Sequence, residues 1–136
     1  MARICPTSGG VVVRQDKVIL VSENGVYWCF PTGHNEPDET DSDAAEREIF
    51  EQTGISQLEL IKDLGIYERF KMNNLGKDDY NELKKIRMFL FRTEQEELYP
   101  LDPQIAEVRW VDKGEVSGQL KHAKDKEFFL RIIEQI

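Results

Sequence analysis

Residues 33–55 read GHNEPDETDSDAAEREIFEQTGI, and the two halves of this stretch differ in character. From Gly33 to Glu39 the residues are polar and include Pro37, which reads as an ordered loop. From Asp41 to Gln52 they read as a helix. Thr40 or Asp41 can cap it, Ser42 and Asp43 place short polar or acidic groups in its first turn, and Gly54 supplies the stop. Glu48, Glu51 and Gln52 then stand at i, i+3 and i+4, which puts their side chains on one helix face. Two carboxylates and an amide carbonyl crowded together repel unless a cation sits among them. Hard oxygen donors of this kind suit Mg²⁺ or Mn²⁺. A glutamate pair at this spacing is by itself more often a solvated helix face, with Arg47 paired to Asp43 or Glu51.

The flanks supply strands. Gly9–Arg14 (GGVVVR) and Lys17–Ser22 (KVILVS) are β-branched runs separated by Gln15-Asp16, a hairpin pattern. A turn at Glu23-Asn24-Gly25 leads to the short apolar segment Val26–Phe30. Leu58–Phe70 and Lys85–Arg92 are further strand candidates, with Asn73–Asn81 as the polar loop between them. In the second, Ile86, Met88 and Leu90 share one face while Arg87, Phe89 and Phe91 share the other. Glu107–Val111 is one more short strand, and Asp125–Ile136 carries a helical apolar stripe through Phe128, Phe129, Ile132, Ile133 and Ile136. These pieces sum to an α/β chain with a mixed sheet flanked by helices.

Length and composition narrow the class. The 136 residues, 40% of them hydrophobic, fit one domain spanning 1–136 with one core. No apolar run reaches bilayer length, and the N-terminus has no signal-peptide segment, so a cytoplasmic protein without membrane contact is the expectation. Cys5 and Cys29 are too few for a disulfide scaffold and read as buried thiols. With 18 basic against 26 acidic residues the formal net charge is −8, which disfavours a nucleic-acid polymer as partner. A small phosphate ligand remains compatible, provided a local cationic patch or a metal ion meets it.

The spacing of the whole segment then decides its reading. Gly33, Glu39, Arg47-Glu48-Ile49, Glu51, Gln52 and Gly54-Ile55 match eight of the nine specified positions of the pattern G-x5-E-x7-R-E-U-x-E-E-x-G-U, where U is a bulky aliphatic residue. The stretch therefore resembles the box of the Nudix hydrolase family, MutT-like in type. The lead-in Trp28-Cys29-Phe30-Pro31-Thr32-Gly33, the opening GGVVVR and the late Glu107-Val108-Arg109-Trp110 are similar to the family's flanking strands. The loop Pro31–Pro37 resembles that of its dinucleoside-polyphosphate hydrolases.

The resemblance implies an α/β/α sandwich with the box as loop–helix–loop. It implies water attack on a phosphoanhydride of a nucleoside diphosphate linked to another group, a dinucleoside polyphosphate or a nucleoside triphosphate, with Mg²⁺ or Mn²⁺ as cofactor. Carried over by position, Glu48 and Glu51 would be metal ligands or one of them the base. Gln52 and the backbone near Thr32 and Gly33 would add ligands, and Arg47 would pair with Glu39 to hold the loop on the helix. His34, Arg87 and Tyr67 are candidate substrate contacts, Arg87 because it shares a strand face with aromatic residues. Lys71, Lys77, Lys84 and Lys85 form a local basic exception that could collar phosphate. Homodimers are common in the family, and no residue pattern here identifies an interface.

Gln52 is the departure, because the family pattern has Glu there, and Gln104 stands where many relatives carry another Glu. Glu36, Glu39 or Glu107 are the acids that could compensate. The alternative reading is a nucleotide-binding module or sensor on the same scaffold.

Overall fold

The β-branched runs that open the chain pair as read. In a computed structural model describing Met1–Ile136, β1 (Arg3–Arg14) turns through Gln15-Asp16 into β2 (Lys17–Glu23), with Val13 opposite Val18. Then follow β3 (Tyr27–Cys29), β4 (Thr32–His34), α1 (Asp41–Thr53), β5 (Glu59–Met72), β6 (Asp78–Arg92) and β7 (Ile105–Asp112). The chain closes with the one-turn α2 (Val116–Gln119) and with α3 (Ala123–Ile132). The strands order as β3-β2-β1-β6-β5, with β4 added beside β1 and β7 beside β2. β1 and β6 run parallel from Arg3 opposite Glu82 to Val13 opposite Arg92, and the other pairs are antiparallel.

Both faces of this sheet are covered, so its central strands are apolar on both sides. Val12, Ile19, Val21, Phe89 and Phe91 pack with Ala45 and Ile49 of α1. Val11, Leu20, Ile86, Met88 and Leu90 pack on the other side with Phe128, Phe129 and Ile132 of α3. The alternation read along Lys85–Arg92 is thus the division between two helical layers, and the architecture is an α/β/α sandwich. Burying each large side chain in these layers is worth about 1.5–3 kcal/mol.

Several boundaries differ from the sequence reading. β6 starts at Asp78, so the polar loop shrinks to about Asn73–Lys77. The stretch from Asp78 to Lys84 is polar because it borders a cleft, although its backbone is paired. The loop after Pro31 likewise begins as a strand, since Thr32, Gly33 and His34 pair with Gly9, Ser8 and Thr7.

The end of α1 is capped by distant backbone. Gly54 takes φ 81°, and a Cβ there would collide with the Tyr99 backbone. The close approach lets Tyr99 N–H donate to Thr53 O, and Leu101 and Asp102 N–H donate to Glu51 O, satisfying carbonyls the helix leaves open. The same turn brings Asp102 and Gln104 alongside the helix end.

β5 is tied to α3 by a buried ion pair. Arg69 Nε meets Asp125 Oδ1 at 2.9 Å, with side chains only 3% and 1% exposed, and the Tyr67 hydroxyl donates to the same oxygen at 2.5 Å. Removing one partner of such a pair strands a charge without water. Asp125→Ala is therefore expected to lower unfolding stability by about 3–5 kcal/mol, read by urea denaturation. A loss below about 1 kcal/mol would show that the pair does not anchor the helix.

Candidate active site

The site starts from α1 and the loop before it. Thr40 caps the helix by accepting a hydrogen bond from Asp43 N–H, and Asn35 Nδ2 donates to Asp41 at 2.7 Å. This start sets the phase of the helix, so Arg47, Glu48, Glu51 and Gln52 emerge toward β4 and its loop.

Arg47 holds the acidic groups together. Its Nε and Nη2 grip Glu39 in a two-point pair at 2.7 and 2.9 Å, and Nη2 also donates to His34 O at 3.0 Å. Its Nη1 reaches Glu48 at 2.8 Å and both Glu51 oxygens at 3.4 Å. The pair with Glu39 is the one that the family resemblance implies. The additional contacts make the guanidinium the counter-cation of the whole acidic face. Hydrogen bonding to Arg47 holds the Glu39 carboxyl below its ordinary value. Glu48 goes the other way: burial pushes its pKa up, and the bonds from Arg47 offset this only in part.

Glu48 lies against Gly33. A Cβ on Gly33 would fall inside the Glu48 carboxylate, so only glycine lets the strand pass this close. Gln52 completes the cluster: its Nε2 donates to Thr32 O at 2.6 Å and to Glu48 Oε2 at 3.1 Å. Its Oε1 is buried and has no partner. The amide thus links two acceptors and leaves its own acceptor unused. Gln52 is 3% exposed and sits at the floor of a cleft of about 550 Å³.

That cleft gathers Gly33, His34, Glu48 and Gln52 with Lys71 and Lys84, two of the four lysines read as a phosphate collar. Gln104 lines it as well. The acids beside Glu48 are Glu23, Asp79, Glu82 and Asp102, not the Glu36, Glu39 and Glu107 considered as substitutes. Glu39 and Glu36 are turned to Arg47, and Glu107 to Arg109. Glu82 falls between the loop read as Asn73–Asn81 and the strand read as Lys85–Arg92, whereas the structure places it within β6. The alternation Glu82, Lys84, Ile86 was the available signal, since it continues the strand's apolar face backward into polar residues.

Two candidate substrate contacts lie outside this cleft. Arg87 does share its face with Phe89, but its guanidinium is bonded to Asp63 of β5 and lies 3.6 Å from Asp41. The β5–β6 register, with Ile66 opposite Arg87, brings that aspartate within reach, and the charge is already matched. Tyr67 stacks on Phe128 with centroids 4.6 Å apart and donates to Asp125, so it belongs to the contact with α3. His34 stays at the cleft, with its imidazole 3.3 Å from Glu82.

With this geometry in view, comparisons with known proteins are decisive for family. The family model described as "NUDIX domain" matches residues 6–132. Phosphatase NudJ of Escherichia coli O1:K1 is 33% identical over 112 residues, covering 78% of this chain and 67% of that protein. The structure of the E. coli dihydroneopterin triphosphate pyrophosphohydrolase superposes with a TM-score of 0.77 at 18% identity, covering 96% of each chain. A C. elegans Ap4A hydrolase binary complex gives a TM-score of 0.77 at 16% identity, also over 96% of each chain. The two structural likenesses speak for the fold, and the family model and the NudJ match speak for descent. This chain belongs to the Nudix hydrolase family.

Proposed function

We propose that the chain hydrolyses a phosphoanhydride bond in a nucleoside diphosphate linked to another group, a dinucleoside polyphosphate or a nucleoside triphosphate, with Mg²⁺ or Mn²⁺. The observation that carries this reading is the convergence of Glu48, the Thr32 carbonyl and Gln52 at one point in the cleft, where a dication would find hard oxygen donors. The donor set fits. Glu48 is a half-buried carboxylate whose charge is poorly solvated, and a half-turn of the Gln52 amide would replace its N–H donors with the orphaned Oε1. Glu48, Gln52, the backbone at Thr32 and Gly33, and Glu51 after release from Arg47 would hold the ion. When bound, such an ion neutralises diphosphate charge and lowers the pKa of coordinated water.

The remaining work falls to the chain itself. Lys71 and Lys84 place positive charge in an otherwise acidic cleft, which suits phosphate oxygens there. Arg47 fixes the loop through Glu39 and keeps the helix carboxylates from repelling one another until an ion replaces it. In the reaction water adds to phosphorus, the bridging P–O bond breaks, and the water proton passes to solvent or to an acceptor carboxylate. The phosphatase NudJ, 33% identical to this chain, supports hydrolysis at phosphorus.

The second reading is a nucleotide-binding module, and Gln52 favours it. Its amide already satisfies Thr32 O and Glu48 without a metal, so a cation must displace two hydrogen bonds.

Product analysis of a nucleotide panel with Mg²⁺ or Mn²⁺, read as nucleotide products together with phosphate and pyrophosphate, tests both. Turnover by the wild type, reduced roughly 100-fold or more in Glu48→Gln, is expected for an enzyme losing several kcal/mol of transition-state stabilisation. An inert wild type would overturn it.

Gln52→Glu gives an independent check, since it adds charge at the same point. It is expected to lower the Mg²⁺ concentration for half-maximal rate by roughly tenfold, about 1.4 kcal/mol of binding. If only this variant turns over, the wild type is the binding module.

A further inference from the structure

One cluster of chemically reactive side chains joins the box loop to the strands beside it, with His34 and Glu82 at the same cleft and Cys5 buried next to them. In the parallel and antiparallel registers Arg3 lies opposite Glu82, and Thr7 opposite His34. Cys5 sits two residues from each, so the period-two alternation of a strand puts Cys5, His34 and Glu82 on one face. Their ligand atoms all lie within 4.8 Å of one another. His34 Nε2 and Glu82 Oε2 are 3.3 Å apart. Around a tetrahedral ion, bonds of about 2.0–2.3 Å put neighbouring ligand atoms roughly 3.3–3.7 Å apart, so this edge already has the needed length.

The geometry points to a transition-metal site, with Cys5, His34 and Glu82 as three ligands for Zn²⁺ or a similar borderline-soft ion. A thiolate, an imidazole and a carboxylate are the donor set such ions select, and Mg²⁺ does not. The site is distinct from the all-oxygen cluster around Glu48, although Gly33 and His34 make the two adjacent in sequence.

The surroundings support an ion here. The Glu82 side chain is only 5% exposed. Burial disfavours its charge, but hydrogen bonds with Arg3 and His34 outweigh this and hold its carboxyl below the ordinary range. Cation demand at this point is met by Arg3, whose guanidinium reaches both Glu82 at 2.8 Å and Cys5 Sγ at 3.5 Å. Arg3 is a loose tenant, since its side chain is 74% exposed and free to swing into solvent. A dication entering between the three ligands displaces Arg3, and the thiol proton passes to solvent as the sulfur coordinates. Three protein ligands leave a fourth position. Because His34 and Glu82 line the cleft with Lys71 and Lys84, that position is open to water or to an anionic ligand.

The test is a Co²⁺ titration of the full chain in excess Mg²⁺, followed by the sulfur-to-cobalt charge-transfer absorption. The expected result is one equivalent bound with that band, displaced by Zn²⁺. The band should be lost in Cys5→Ser and kept in Cys29→Ser, whose thiol is buried at 3% exposure. Glu82→Gln and His34→Ala should each weaken binding at least roughly tenfold. Zn²⁺ should also raise the melting temperature of the wild type, and by less in Glu82→Gln at the same Zn²⁺ concentration. A wild type without the thiolate band, a band that survives Cys5→Ser, or an unchanged affinity in Glu82→Gln would overturn the site. Nucleotide hydrolysis does not enter this readout, so its outcome is separable from that of the proposed function.

Discussion

The structure around the cleft depends on one guanidinium shared between loop and helix carboxylates. Arg47 binds Glu39 from the loop, and Glu48 and Glu51 from its own helix. Without it, two glutamates a turn apart and a third folded against them would repel in a partly dehydrated corner, where Coulomb terms exceed their value in water. The side chain is 23% exposed, so it is neither fully screened nor fully desolvated. That intermediate burial lets it hold the loop firmly through Glu39 while its contacts to Glu51, at 3.4 Å, stay long enough to exchange.

A second constraint is packing rather than charge. Gly33 permits β4 to pass directly over the Glu48 carboxylate, and this sets the short reach from Gln52 to Thr32 O. The same passage pushes Glu48 toward its neutral form, since the strand backbone replaces water. A carboxylate raised in this way gains most from a cation, because the ion restores the stabilisation that burial removed. Gln52 opposes this in part. Its N–H donors satisfy the neighbouring acceptors without adding charge, so metal-free and metal-bound arrangements lie closer in energy than in a relative with a third carboxylate.

Local features were legible in the sequence, and through-space pairings were not. The cap at Thr40, the stop at Gly54 and the common face of Glu48 and Gln52 each follow from spacing within about a dozen residues, where helix geometry leaves little freedom, whereas the bond from Arg47 to Glu39 is what the family resemblance implies. The hairpin before them is equally local. By contrast, Arg87 looked free because Asp63 is 24 residues away and meets it only through the β5–β6 register. Tyr67 looked like a stacking surface because its partner Asp125 lies 58 positions on. Glu82 was hidden for a related reason. A strand that borders a cleft is polar at its end, and polarity without an apolar partner face reads as loop.

The central claim is that the Glu48–Gln52 corner takes up a dication. Manganese titration calorimetry on the wild type, in two buffers of different ionisation enthalpy, tests it most directly. Because burial raises the folded pKa of Glu48, its carboxyl holds a proton more tightly than an exposed one, and metal competes with that proton. The account predicts manganese uptake with proton release, growing as pH falls toward the raised Glu48 value and weakened in Glu48→Gln. Absence of uptake even with a nucleotide present, or uptake indifferent to Glu48→Gln, would contradict it.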